Sequence, residues 1–277
     1  MTSSDTDIST ELSTELERLA ATPVLLIALD FDGTLAPLLD EPMSARALPD
    51  SKAAVERLAG LPDTVVAFVS GRMLADLRII AEHQDDSRIY LAGSHGAEFW
   101  FPAGIDDTRG ASAGTSPSER DTRPDAVDAD AIRAAADDLV ADIDGAWIEH
   151  KALGFALHTR KSGADDAARA TRDIDALVAE RAPAWRRRTG QDILEFSTSH
   201  AGKDAAVAAL RASTGATAVL FAGDDVTDED AIAALGADDL GIRVGPGETS
   251  ARVRVDDAEE LAGVLSTLAK MRGELRQ

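Results

Sequence analysis

Apolar residues follow two rhythms along this chain. Continuous apolar runs of strand length at 24–29, 64–69, 89–92 and 218–222 each stop at a turn of small or polar residues. Such runs mark strands buried on both faces of a parallel sheet. Helix-length segments at 52–59, 73–82 and 203–212 lie between and after them, and Asp50-Ser51 offers a cap for the first. Leu12, Leu16 and Leu19 place a further helix near the start. Strand and helix alternate at α/β spacing, which predicts a doubly wound, Rossmann-like parallel-sheet core.

The rhythm breaks at 102–130, a stretch dense in Gly, Ser, Thr, Asp and Pro with little to bury, expected to be a solvated loop or linker. Beyond it the order becomes helix (130–143), strand (147–151), strand (155–159), helix (165–181), strand (184–188), strand (192–196). That order suits a small antiparallel sheet with two helices on one face. The α/β rhythm then returns, with a helix at 228–235, a strand at 241–244 and a last helix over 257–271. The expected organisation is a core of 1–101 and 201–277, interrupted by the linker 102–130 and a smaller α+β cap at 131–200.

Charge narrows the partners. The 277 residues hold 28 basic and 50 acidic side chains, a net charge of −22. This argues against nucleic acid and against anionic membranes, both of which recruit cations. No apolar run reaches the ~18 residues of a membrane span. Cysteine is absent, which excludes disulfides and thiolate metal sites. The first residues resemble no signal peptide, so a cytoplasmic location is expected. No motif points to an obligate protein partner. Only five bases are lysine: Lys52, Lys151, Lys161, Lys203 and Lys270.

Ligands of open parallel sheets bind beyond the carboxyl ends of the strands. Four such ends carry polar motifs: Asp30-Phe31-Asp32, Ser70-Gly71-Arg72, Gly93-Ser94-His95-Gly96 and Gly223-Asp224-Asp225. Carboxylates gathered there repel one another unless a cation sits among them, and an all-oxygen donor set favours Mg²⁺. A carboxylate, a hydroxyl, a lysine and Mg²⁺ are the parts needed for phosphoryl transfer. Asp30-Phe31-Asp32-Gly33-Thr34, then Ser70, Lys203, and Gly223-Asp224-Asp225 with Asp228, resembles the four-motif signature of the haloacid dehalogenase (HAD) superfamily of phosphatases.

A narrower resemblance is to trehalose-6-phosphate phosphatases. It rests on 93–98 (Gly-Ser-His-Gly-Ala-Glu), Glu149-His150-Lys151, 156–160 ending in Arg160, Leu194-Glu195, and 223–230. Two departures stand out: Ser197 where that family commonly has a proline shortly after the glutamate, and Lys203-Asp204 where it has Lys-Gly. The resemblance implies a Mg²⁺-dependent phosphatase without a synthase domain, acting through an aspartyl phosphate. In it Asp30 is the nucleophile and Asp32 the acid and base. Ser70 and Lys203 bind the phosphoryl group. Asp30, Asp224 and the Asp32 carbonyl hold the metal, and Asp225 or Asp228 supports Lys203 or a metal-bound water. Asp228 also reads as a helix cap. Sugar recognition falls to Glu149, Lys151, Arg160 and Glu195 in the cap, with Arg72, His95 and Gly96 nearby, and the cap is expected to close over the core. From spacing alone, the same four cap residues read equally well as a cross-strand salt-bridge ladder. The three consecutive arginines 186–188 read as the solvated edge of a strand. Rival expectations are a phosphatase for sucrose or mannosylglycerate phosphates, and a catalytically silent sugar-phosphate-binding module.

Overall fold

The structure is a computed structural model that describes residues 10–39, 41–103, 129–151, 154–190, 192–198 and 202–276. In chain order its strands are β1 (Leu25–Leu29), β2 (Thr64–Val69), β3 (Tyr90–Gly93), β4 (Glu98–Trp100), β5 (Trp147–Lys151) and β6 (Gly154–His158). They continue with β7 (Arg186–Gly190), β8 (Ile193–Ser197), β9 (Ala218–Gly223), β10 (Leu240–Val244) and β11 (Val253–Val255). The helices are α1 (Thr10–Ala21), α2 (Pro49–Ala59), α3 (Leu74–Ile80), α4 (Ala129–Val140), α5 (Ala164–Arg181), α6 (Lys203–Thr214), α7 (Val226–Ala233) and α8 (Ala258–Leu275). The chain divides into two units, the second being an insertion between β4 and α6.

The first unit is built on a seven-stranded sheet in the order β11-β10-β9-β1-β2-β3-β4, parallel throughout except for β4. β1 explains the doubly wound build. Its five residues are all buried. Leu25, Ile27 and Leu29 point to one face with α1, α2, α3 and α8, while Leu26 and Ala28 point to the other with α6 and α7. Each buried leucine or isoleucine is worth about 1.5–3 kcal/mol. Because β9, β1, β2 and β3 run parallel side by side, their carboxyl ends, and the motifs that follow, lie along one edge.

Two local expectations are corrected, and two short strands join the predicted ones. α2 begins at Pro49 after Leu48, with no side-chain cap, so Asp50 and Ser51 lie inside the first turn. Proline at the first helical position replaces an N–H that would have needed a cap. The cap of α7 is Asp225, not Asp228: its carboxylate accepts from the amides of Thr227 and Asp228, and Asp228 returns a bond to the Asp225 amide. β4 and β11, three residues each, are too short to carry a period. Residues 104–128, most of the expected linker, lie outside the described residues.

The second unit holds a four-stranded antiparallel sheet, β5-β6-β8-β7, with α4 and α5 packed on one face. Phe155, Leu157, Leu194 and Phe196 fill that face against Ile132, Ala136, Ile174 and Trp185. Residues at alternate positions therefore present Trp147, Glu149, Lys151, His158, Glu195 and Arg188 on the opposite face.

Candidate active site

Asp30 follows the last residue of β1, and its amide donates to the Ala222 carbonyl of β9 at 2.9 Å, continuing the sheet for one residue. The chain then turns tightly. The Phe31 carbonyl accepts from the amides of Leu35 and Ala36, and the Gly33 amide donates to the Ala36 carbonyl. Gly33 holds φ +75°, and a Cβ there would stand 2.0 Å from an Asp224 carboxylate oxygen. Only glycine meets both constraints, which is why the turn of β1 and the turn of β9 can share a small space.

Lys203, at the first position of α6 and buried, donates to Asp30 Oδ1 and to Asp228 Oδ1, each at 2.6 Å. The other Asp228 oxygen accepts the amides of Asp224 and Asp225 at 3.1 Å. Asp228 is thus committed on both sides to holding the lysine and the β9 turn. Thr34 Oγ1 lies 3.4 Å from both Asp30 Oδ2 and Asp224 Oδ1. Asp30, Asp224 and Asp228 place carboxylate oxygens within 4.8 Å of one another.

Burial decides the electrostatics of this cluster. It pushes the pKa of Asp30 up to about 7 against the pull of Lys203, with Asp224 and Asp225 adding to the rise. Asp224 is lifted to about 6 by burial and then by Asp228 and Asp225. Burial also raises Asp228. At Asp225 burial is outweighed by Lys203 and by hydrogen bonds from Thr227 and Asp228, and the pKa falls to about 2. For Lys203, burial is overcome by Asp228 and Asp30, so its pKa stands above the ordinary value and the ammonium stays charged. One cation among these carboxylates leaves an excess of negative charge. The donor set is all oxygen, which fits a hard divalent cation such as Mg²⁺ between Asp30 and Asp224, the two not fully engaged by other partners.

The remaining strand ends frame the cluster. Asp32 forms a two-pronged ion pair with Arg72, from Nε at 2.6 Å and from the terminal nitrogen at 2.7 Å. Arg72, a candidate substrate contact from the sequence, thus holds Asp32. Ser70 is buried, and its Oγ accepts the Arg72 amide at 3.1 Å, which leaves the hydroxyl proton free to donate elsewhere. Ser94 and His95 both adopt left-handed backbone (φ 49° and 55°), a strained conformation for non-glycine residues. Glu98 supports this bend, accepting the Ser94 hydroxyl at 2.8 Å and the Leu74 amide that opens α3 at 2.9 Å. Gly96 abuts α6: a Cβ there would lie 2.6 Å from the Ala206 methyl.

In the second unit the register groups three of the four cap candidates on the sheet face opposite the helices. Glu149 and Glu195 both pair with Ala156 from opposite sides. Lys151 Nζ lies 3.4 Å from Glu195 Oε2. His158 Nε2 lies 2.7 Å from Glu149 Oε2, and this bond does most to lower the Glu149 pKa. Arg160 is exposed in the turn after β6, beyond the Trp147–His158 end of the sheet and away from Lys151. His158, stacked flat on Trp147 at 4.6 Å, was not among the sequence candidates, nor was Arg188, in register with Glu195. The three arginines alternate: Arg187 turns to the helix side and pairs with Asp175 of α5, while Arg186 and Arg188 share the open face. A period of two within that run is the signal that separates them. Thr34 belonged to the first motif without a role of its own.

A family model described as trehalose-phosphatase matches residues 28–258. A trehalose-phosphate phosphatase of Mycobacterium avium (strain 104) is 34% identical over 215 residues, covering 76% of this chain and 51% of that protein. Its counterpart in Mycobacterium marinum (strain ATCC BAA-535 / M) is 31% identical over 234 residues, covering 82% and 55%. The chain spans about half the length of the curated relatives it matches. Among solved structures, a trehalose-6-phosphate phosphatase related protein superimposes with a TM-score of 0.68 at 25% identity, over 91% of this chain and 100% of the other. The C-terminal domain of a C. albicans trehalose-6-phosphate phosphatase shares the fold, with a TM-score of 0.74 at 17% identity, over 95% and 97%.

Proposed function

This chain belongs to the trehalose-phosphatase family, and from that premise we propose that it hydrolyses trehalose 6-phosphate to trehalose and phosphate, with Asp30 as nucleophile. The observation that carries the reading is the Asp30–Lys203–Asp228 cluster beside Asp224 at the carboxyl edge of β1 and β9. A carboxylate held by a buried ammonium, next to a second carboxylate, is a placed nucleophile with a cation site. Mg²⁺ held by Asp30 and Asp224, with the Asp32 carbonyl, supplies charge neutralisation that lets one anion approach another.

A carboxylate oxygen of Asp30 attacks phosphorus, and the bond from phosphorus to the sugar oxygen breaks. Asp32 gives that oxygen its proton, releasing the sugar. Asp32, now a carboxylate, takes a proton from water as the water oxygen attacks the aspartyl phosphate, releasing phosphate and restoring Asp30. Both Asp32 oxygens are engaged by Arg72 in the structure, so the two proton transfers require Asp32 to leave that pair; Ser70 and Lys203 donate to the transferring phosphoryl oxygens. Sugar recognition is assigned to the open sheet face of the second unit. Glu149 and Glu195 accept from hydroxyls and Lys151 donates, while Arg160, past the other end of the sheet, stands apart from these three. His95 and Gly96 shape the edge of the phosphate site.

The test is phosphate release from trehalose 6-phosphate beside glucose 6-phosphate and sucrose 6-phosphate. The expected kcat/KM is at least ~100-fold higher for trehalose 6-phosphate. Equal values on all three would remove the disaccharide assignment and leave the phosphatase.

A further inference from the structure

In the second unit one of the carboxylates assigned to the sugar is already held in place. Glu149 of β5 has a half-exposed side chain, and its Oε2 lies 2.7 Å from His158 Nε2 on β6. Register explains the meeting. Glu149 stands opposite Ala156, so His158, two residues on, is its diagonal neighbour on the same face. Among the described residues, the other Glu149 oxygen, Oε1, accepts no hydrogen bond. One oxygen is thus fixed while the second is open to a hydroxyl.

The histidine is itself fixed. Its ring lies flat on Trp147, the residue opposite it in register, with 4.6 Å between centroids and 2° between planes. Lys161 Nζ stands 5.7 Å from the centre of the same Trp147 ring, a cation–π contact that ties the turn after β6 to the stack. An imidazole in such a stack cannot rotate about its second side-chain torsion without losing the contact. The bond from His158, aided by Lys151 and opposed by burial and Glu195, lowers the Glu149 pKa, so the carboxylate is ionised at neutral pH. An ionised carboxylate can only accept, which makes Nε2 the donor. A neutral ring protonated at Nε2 and a charged ring both supply that proton, so the contact survives either charge on the histidine.

A glutamate half exposed to water samples several rotamers, and binding must select one of them at a cost in side-chain entropy. Here the selection is made before a ligand arrives. Lys151, the partner of Glu195 at 3.4 Å, already acts on Glu149 through its charge. A Glu149 released from His158 is therefore drawn towards that ammonium, which would then serve two carboxylates. We propose, resting on hydrolysis of trehalose 6-phosphate by this chain, that His158 is a positioning residue for sugar recognition: stacked on Trp147, it holds Glu149 by Oε2, keeps it off Lys151 and leaves Oε1 for a substrate hydroxyl. His158 touches no reacting atom and acts through Glu149 alone.

His158→Phe keeps a ring on Trp147 and removes the donor, whereas His158→Gln restores an N–H at similar reach. For trehalose 6-phosphate, His158→Phe is expected to raise KM at least ~10-fold with kcat within ~2-fold, and His158→Gln to bring KM back to within ~3-fold of the unaltered chain. For p-nitrophenyl phosphate, which has no sugar, neither substitution is expected to move KM by more than ~2-fold. In a chain that carries Glu149→Ala, adding His158→Phe is expected to change KM for trehalose 6-phosphate by less than ~2-fold, because nothing is left to hold. An unchanged KM in His158→Phe, an equal rise on both substrates, a His158→Gln as poor as His158→Phe, or a full effect on top of Glu149→Ala would each overturn the proposal. Should His158→Phe fail to fold, His158→Gln and Trp147→Leu decide, the second expected to raise KM several-fold on trehalose 6-phosphate alone. A chain that turns over p-nitrophenyl phosphate but not trehalose 6-phosphate overturns the substrate reading and this role with it. Turnover of trehalose 6-phosphate with a KM indifferent to His158→Phe overturns this role alone.

Discussion

Asp30 and Asp224 show how the surroundings of a carboxylate set what it can hold. Their pKa values are raised from 3.8 to about 7 and about 6, whereas in the unfolded chain they ionise at the ordinary value. A raised folded pKa contributes stability that is complete below about pH 4 and is lost as pH climbs through 6 and 7, where the fold must accommodate both charges. Asp225, lowered to about 2, runs the other way: its contribution is present above about pH 4 and is lost as pH falls towards 2. A divalent cation between Asp30 and Asp224 relieves the repulsion and competes with their protons. Added Mg²⁺ should therefore raise the melting temperature more at about pH 8 than at about pH 5. Thermal denaturation with and without Mg²⁺ at the two pH values reads this directly, and an equal shift at both would remove Asp30 and Asp224 from the cation site.

At the scale of elements, one arginine ties the N-terminal helix to the last. Arg272 of α8 is fully buried and donates to the carbonyls of Ala20 and Thr22 at 2.9 and 2.8 Å, to the Asp63 carbonyl at 2.5 Å and to Thr64 Oγ1 at 2.6 Å. Burial, then Arg276, brings its pKa down to about 10, which still leaves it charged at neutral pH. Arg272→Met keeps the apolar stem and strands the carbonyls, so a loss of about 3 kcal/mol is expected in urea denaturation. Elements with a strong period were legible in the sequence. The continuous runs gave β1, β2 and β9 within a residue, and the leucine spacing gave α1. What stayed hidden depends on partners distant in the chain. β4 exists because its three residues pair with β3, and Glu98 is useful because it reaches Ser94 and Leu74. The role of Asp228 was ambiguous for the same reason: a local cap and a partner for Lys203 look identical until α6 and α7 are placed together. In the second unit, alternation gave the open face but not the pairing of Glu149 with His158, which needs the register of β5 on β6.

The whole molecule carries −22 charges, and its proposed substrate is an anion. Among the described residues no helix is long and apolar enough to cross a membrane. Long-range repulsion slows the encounter, and monovalent salt screens it, with a Debye length of about 8 Å at ~0.15 M. The buried Lys203–Asp30 pair is largely shielded from that screening. Turnover per unit of substrate should therefore rise between about 0.02 M and 0.15 M salt, read as kcat/KM for trehalose 6-phosphate. A steady fall over that range would mean that exposed cations, not the buried cluster, govern capture. Asp30 remains the point on which the account turns. The measurement that tests it most directly is Mg²⁺-supported phosphate release from trehalose 6-phosphate by the unaltered chain and by Asp30→Asn. The account predicts turnover by the first and a rate at least ~10³-fold lower for the second. An Asp30→Asn protein that kept its rate, or an unaltered chain that released no phosphate, would contradict it.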